Sequence, residues 1–183
     1  MTTPFVMTEV RLTEPLGADD HLAGTPSAPV TLIEYGDFQC PYCRAAHPIV
    51  QEVLRQRPGV VRFAYRHFPL TNVHPYADLA AEVAESAAAH GQFWPMHDWL
   101  FENQELIDPV HIGVGVTSLG LPVDVVDKEL SEHVYSDRVH RDFVSGVRSG
   151  VNGTPTFYIN GRRHDLSYEL PVLLSAIDLA GEA

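Results

Sequence analysis

The chain holds two cysteines, Cys40 and Cys43, separated by Pro41 and Tyr42 in the stretch GDFQCPYCRAAH, residues 36–47. Two thiols at this spacing support three kinds of chemistry: a disulfide staple, half of a metal site, or a redox couple. The staple is weak on magnitude. Closing a four-residue loop gains about 2 kcal/mol, against about 4.7 kcal/mol for a hundred-residue loop. A structural zinc needs four ligands, and there is no second cysteine pair. His47 follows Cys43 by four residues and can share its helical face. With ten histidines in the chain a fourth ligand is arithmetically available, so zinc or a subunit-bridging iron–sulfur cluster stays open.

The elements around the pair favour electron exchange. PVTLIEYGDF is rich in β-branched and aromatic residues and predicts a strand from Val30 to Tyr35. Pro41 then opens a helix that runs to Pro58-Gly59, and VVRFAYRHF predicts a second strand from Val60 to Phe68. A βαβ unit of this kind has parallel strands and a right-handed crossover. Cys40 then lies at a helix start, where unpaired N–H groups and the macrodipole stabilise a thiolate by roughly 0.3–1 kcal/mol and lower its pKa. Cys43, a turn deeper, is expected to be the less accessible sulfur. This makes Cys40 the attacking nucleophile and Cys43 the resolving thiol.

From Tyr76 to about Ser149 the chain reads as helix, with Ser136 a candidate cap. After Gly150 β character returns in TPTFYINGRRHDL, where Asn160-Gly161 signals a hairpin. A closing helix is predicted from Tyr168 to about Leu179. Residues 1–27 read as an extended lead-in. The fold class is α/β, in the order βαβ, helical block, ββ, α.

Composition sets the outer limits. The formal net charge is −12 over 183 residues, which argues against nucleic acid or an anionic membrane as partner. Most of the excess lies between Tyr76 and Arg138, where 12 acids face only Lys128 and Arg138. The plainest account is solvated helix faces; the alternative is a field that attracts basic protein partners. Neither a signal peptide nor an apolar run of membrane-spanning length stands out. Read as a complete chain, the protein is expected in the cytoplasm, where a cysteine pair is more often catalytic or metal-binding than structural.

The phrases APVTLIEYGDFQCPYC, FWPMHDWLF and GVNGTPTFYINGRR resemble the DsbA-like family of thiol–disulfide oxidoreductases at matching places along residues 28–180. CPYC alone also occurs in glutaredoxins; the helical block and the long C-terminal part separate the chain from them. The resemblance implies a thioredoxin-like domain of residues 28–75 and 150–183, with an inserted helical subdomain at 76–149. It implies that Cys40 and Cys43 are the redox pair and that Pro155 is held in cis beside them. Thr154 would offer backbone hydrogen bonds to an extended substrate, with Pro41 and Tyr42 also facing it. Glu34, six residues before Cys40, would be a buried acid that passes protons to and from the inner thiol; its alternative is an exposed edge-strand glutamate.

The expected activity is thiol–disulfide exchange on protein or small-thiol substrates, with glutathione or a thioredoxin-type protein as redox partner. No metal or cofactor is expected beyond the cysteine pair. Two other readings are a non-catalytic binding module for metal or protein, and a glutathione-dependent transferase or isomerase. The intact pair counts against the last. The direction of electron flow stays open.

Overall fold

The computed structural model describes residues 10–182. Strand β2, Val30–Gly36, is the centre of the sheet. Its side chains alternate between two buried faces, as the two-residue repeat of a strand requires. Val30 and Leu32 join the larger hydrophobic cluster, while Ile33 and Tyr35 join the smaller one. Glu34 therefore shares the face of Leu32.

The other elements follow from that division. The lead-in supplies β1, His21–Gly24, and β2 is followed by α1, Pro41–Gln56, and β3, Val61–His67. Strands β2 and β3 are parallel, as the βαβ pattern predicts. Five helices stand between β3 and the next strand: α2 (Ala77–Ala89), α3 (Phe93–Glu102), α4 (Gly113–Ser118), α5 (Val123–Ser131) and α6 (Ser136–Arg148). A short 3₁₀ turn, Gln104–Leu106, joins α3 to α4. The chain closes with β4 (Thr156–Ile159), β5 (Arg162–His164) and α7 (Leu170–Gly181). The sheet order is β1-β3-β2-β4-β5, and every pair except β2–β3 is antiparallel.

The larger cluster packs α1, α7 and the helical block against Phe63, Tyr65, Phe157 and Ile159 of the sheet. The smaller one lies on the opposite face, under Leu12 and Leu16 of the lead-in and Phe143 of α6. Helix α6 approaches closely because Gly146 has no Cβ; one built there would meet the Phe68 ring at 2.6 Å.

Several local expectations need correction. Ser136 is the first helical residue rather than the cap; Tyr135 takes the cap position, with no side-chain bond closing the turn. The lead-in is not merely extended. Its β1 pairs with β3, and near its start Arg163 N donates to Val10 O at 3.0 Å alongside β5. It therefore covers both sheet edges, which would otherwise present unpaired backbone groups. The first nine residues of the lead-in lie outside the described residues. The acids of the helical block are not all solvated either. Glu82 and Glu85 are buried, the first bonded to His133 and the second to both His21 and His67.

The lead-in is fastened by a buried ion pair. Arg66 Nε donates to Asp20 Oδ1 at 2.7 Å and Arg66 Nη2 to Oδ2 at 2.9 Å. The same guanidinium donates to the carbonyls of Glu14 and Pro15 and to the Tyr35 hydroxyl. Burial works against the Asp20 charge, and the bonds from Arg66 more than offset it, holding the carboxyl below its usual range. Asp20→Ala would leave the guanidinium buried without its counter-charge. That change is expected to cost about 3–5 kcal/mol in urea unfolding at pH 7; a loss under about 1 kcal/mol would show that the pair does not hold the lead-in.

Candidate active site

The site forms where β2 ends. Gly36 lets the strand pass close to β3: a Cβ there would lie 2.7 Å from the Tyr65 hydroxyl. Asp37 follows, fully buried, and makes three bonds. Its Oδ1 accepts from Gln39 N at 2.8 Å, and its Oδ2 accepts from Leu70 N at 2.8 Å. Its Oδ2 also meets His74 Nδ1 at 2.8 Å. The loop before the cysteines is thereby tied to the loop after β3. From the other side, Gln104 Nε2 donates to the carbonyls of Phe38 at 2.7 Å and Cys40 at 2.9 Å. Gln39 returns the contact, donating to Ile107 O and accepting from Tyr76 N.

Cys40 is the N-cap of α1, with extended backbone, and Pro41 takes the first helical position, where a missing N–H costs nothing. The N–H groups of Tyr42 and Cys43 are then free to face the Cys40 sulfur. Both cysteines are reduced and buried, Cys40 at 3% exposure and Cys43 at 0%. The expected difference in access is thus small, but their chemistry differs widely. The Cys40 pKa is lowered to about 5, most of all by the bond from the Cys43 thiol. Burial opposes this, while Thr154 and the N–H groups of Cys43 and Tyr42 add to it. Burial and the bond to Cys40 push the Cys43 thiol well up, and the charges of Glu34 and Cys40 push it further. The sequence reading credited the helix start; the larger share comes from the neighbouring thiol.

The facing wall comes from the β4 side. The Thr154–Pro155 bond is cis. The Cys40 thiol donates to Thr154 O at 3.4 Å. The side chain of Thr154 favours the thiolate form of Cys40, and its hydroxyl is buried with no other hydrogen-bond partner. Pro41 and Tyr42 face outward, Tyr42 at 67% exposure. The carbonyl of Tyr42 accepts from the Tyr168 hydroxyl at 3.5 Å.

Glu34 lies on the face that α1 covers, at 2% exposure, and is not an edge residue. Burial, then the charge on Cys40, raises its pKa to about 8, and its Oε1 has no partner. Its register partner Tyr65 carries a second buried oxygen without a partner. A buried, unpaired acid next to two sulfurs is poised to take up and release a proton near neutrality.

His47 and the other histidines and aromatic residues near the site fall elsewhere. His47 is buried and its pKa is lowered by burial, so it brings no positive charge to the thiols. His67 belongs to the Glu85 network and His74 to Asp37. Phe93 and Phe101 are core residues, and Trp94 and Trp99 pack against that core. Arg44 is exposed and 4.0 Å from Glu105. Sequence analysis did not single out Asp37, although an Asp two residues before a free N–H is an Asx-turn signal. Gln39, Gln104 and Tyr65 carry no such signal, because their partners lie on distant segments.

Comparison with known proteins agrees with this geometry. The family profile Thioredoxin_4, described as thioredoxin, matches residues 17–178. Among curated proteins, Na(+)/H(+) antiporter NhaA 3 of Salinispora tropica is 44% identical over 158 residues, which is 86% of this chain and 24% of that protein. NhaA 1 of Mycobacterium sp. (strain KMS) is 33% identical over 177 residues, covering 96% of this chain and 28% of its own. The chain thus spans about a quarter of the length of these relatives.

Among solved structures, a thioredoxin-like oxidoreductase from Silicibacter pomeroyi superposes with a TM-score of 0.82 at 24% identity, covering 91% of this chain and 95% of that one. BdbD from Bacillus subtilis gives 0.77 at 22% identity, covering 88% and 92%. Alpha-DsbA1 from Wolbachia pipientis gives 0.78 at 22%, covering 96% of each chain. The chain belongs to the thioredoxin family and has the DsbA-like form of its fold, with a helical block inserted between β3 and β4.

Proposed function

We propose that the protein is a thiol–disulfide oxidoreductase whose Cys40–Cys43 pair oxidises dithiol protein substrates through a mixed disulfide. The observation that carries this reading is the opposition of the two thiols, Cys40 lowered to about 5 and Cys43 raised beside it. A low-pKa thiol is a good leaving group, and a pair that keeps one thiolate at neutral pH favours its reduced state. Both effects support the oxidising direction.

The steps balance as follows. A substrate thiolate attacks Cys40 of the closed pair, forming a mixed disulfide and expelling Cys43. Glu34, whose pKa of about 8 keeps it protonated at pH 7, delivers a proton to the departing Cys43 sulfur. The second substrate thiolate then attacks the substrate sulfur of the mixed disulfide and releases Cys40 as thiolate. The substrate leaves as a disulfide, and the enzyme holds both electrons as a dithiol. Thr154, Pro155, Pro41 and Tyr42 surround Cys40 and would seat an extended peptide. Glutathione disulfide, or the disulfide form of a thioredoxin-type protein of higher potential, would accept the two electrons of the dithiol and return the enzyme to its oxidised form. The proposed exchange concerns the segment that the thioredoxin profile matches, residues 17–178, and rests on nothing in the remainder of the antiporters' length.

Cysteine alkylation tests the thiolate. The rate of Cys40 carboxymethylation is expected to be half-maximal near pH 5 and flat above pH 7; a midpoint above pH 8 would remove the basis of the proposal. The redox midpoint against a glutathione buffer is expected to be more positive than the about −270 mV of thioredoxin. Cys40→Ser should abolish oxidative refolding of a reduced substrate, and Cys43→Ala, offered a disulfide substrate that its Cys40 thiolate can attack, should accumulate the mixed disulfide because nothing resolves it. Refolding activity that survives Cys40→Ser contradicts the assignment.

Glu34→Gln separates proton transfer from thiolate formation. Exchange is expected to slow by about 10²-fold while the Cys40 alkylation midpoint stays near 5. Stability should respond as well. A buried acid with a raised pKa costs stability as pH rises from its unfolded value, about 4.5, through about 8. The variant should therefore gain on wild type by about 1–3 kcal/mol between pH 5 and pH 9 in denaturant unfolding.

A further inference from the structure

Away from the thiols, α1 and α3 bring together three side chains whose arrangement the exchange chemistry does not use. His47 of α1 and His97 and Asp98 of α3 hold their ligand atoms within 4.8 Å of one another. Asp98 Oδ1 is 3.0 Å from His97 Nδ1 and 3.6 Å from His47 Nε2. A tetrahedral ion bound at about 2.0–2.1 Å sets its ligand atoms roughly 3.3 Å apart; the two distances to Asp98 bracket that spacing, and the histidine ligand atoms lie within 4.8 Å of each other.

Neither histidine is satisfied as the side chains stand. Both are more than nine-tenths buried, and Nε2 of each has no hydrogen-bond partner. At 3.6 Å the Asp98 oxygen is too far to bond His47. His97 has two tautomers, and each leaves a defect. With the proton on Nδ1 it donates to Asp98, and the Nε2 lone pair is buried among aromatic rings. With the proton on Nε2 the N–H is left among the rings of Phe38, Tyr65 and Phe101, which stand nearly perpendicular to the imidazole, where a ring face can offer a weak contact. The Nδ1 lone pair then confronts the Asp98 oxygen, acceptor to acceptor. A cation between the three groups removes both defects. A cavity of about 140 Å³ opens on all three, with Gln51 and Trp94 also on its wall, and leaves room for water ligands. The Asp98 side chain is 42% exposed, which gives an ion a way in.

We propose that His47, His97 and Asp98 form a site for one divalent transition-metal ion of the zinc class, with water completing its coordination. Two nitrogen donors and one carboxylate select against calcium and magnesium, which take oxygen ligands. The site is distinct from the metal reading of the sequence, which grouped His47 with the cysteines. Among the described residues the cluster includes neither thiol. The proposal stands independently of the exchange reaction.

The test uses the full chain with Cys40 and Cys43 closed as a disulfide and free thiols counted at zero, so that sulfur cannot bind the probe. Zn²⁺ titrated calorimetrically is expected to bind at one ion per chain and to raise the melting temperature, because it binds only the folded state. Co²⁺ in its place should give visible d–d absorption. Asp98→Ala removes a half-exposed side chain, should keep the apo far-UV circular dichroism of wild type, and should weaken Zn²⁺ at least tenfold. His47→Gln should do the same, whereas His111→Ala, at an exposed histidine paired with Asp108, should change nothing. Absence of stoichiometric binding, or binding that Asp98→Ala leaves unchanged, overturns the site.

Discussion

A sulfur lowered to about pKa 5 inside a protein requires several donors to converge on it, and this requirement governs the architecture. The donors come from different parts of the chain. Cys43 and Tyr42 belong to the first turn of α1, and Thr154 belongs to the loop before β4. Their convergence depends on β2 lying between β3 and β4, so that the turn after β2 and the loop before β4 open at one end of the sheet. Cys40 has only to sit at the helix cap; the sheet order brings the rest.

A site of this kind must also keep its loops still, and here the helical block matters. The backbone that carries Phe38 and Cys40 is gripped by Gln104, and Gln39 reaches back to Ile107 and Tyr76. Asp37 ties the same segment to Leu70 and His74. The inserted helices thus brace the thiols as well as covering the sheet. The lead-in has a similar role at the opposite face, where Arg66 joins Asp20 to the Tyr35 hydroxyl, which in turn meets Ser145 of α6. Charged groups fasten peripheral segments to the sheet, while Glu34 of β2 is buried with one oxygen unpartnered and feels the charges of both cysteines.

Much of the fold was legible because its signals are local. The Val30–Tyr35 run, the cysteines after it and the Asn160-Gly161 turn each declare themselves within a few residues. The turn is confirmed by positive φ at both central positions, 47° and 77°, as a two-residue hairpin of this type needs. Glu34 was legible as an anomaly, a charge inside an apolar strand. Strand β1 was not, because HLAG has no β-branched residue and is held by its pairing with β3. Nor were the buried roles of Glu82 and Glu85: an acid on a helix declares itself solvated until its histidine partner is placed. Asp37 with His74, Gln39 with Tyr76 and Ile107, and Gln104 with the carbonyls of Phe38 and Cys40 escaped for the same reason. Their partners lie tens of residues away, and composition carries no record of long-range pairing.

Helix α1 links these observations. Its buried stripe runs through Cys43, Ala46, His47, Val50 and Val53, so the resolving thiol and the unsatisfied histidine share one face, four residues and about 6 Å of helix rise apart. Apolar residues complete that stripe, and it packs into the larger cluster with Phe101 and Leu100 of α3. Burying a polar atom there without a partner is costly. Cys43 resolves that cost by bonding to Cys40. His47 is one turn further on, facing a carboxylate just beyond bonding distance, and among the described residues nothing bonds its Nε2. The two positions therefore differ in what satisfies them: a second sulfur for one, and for the other a group that the described residues do not provide.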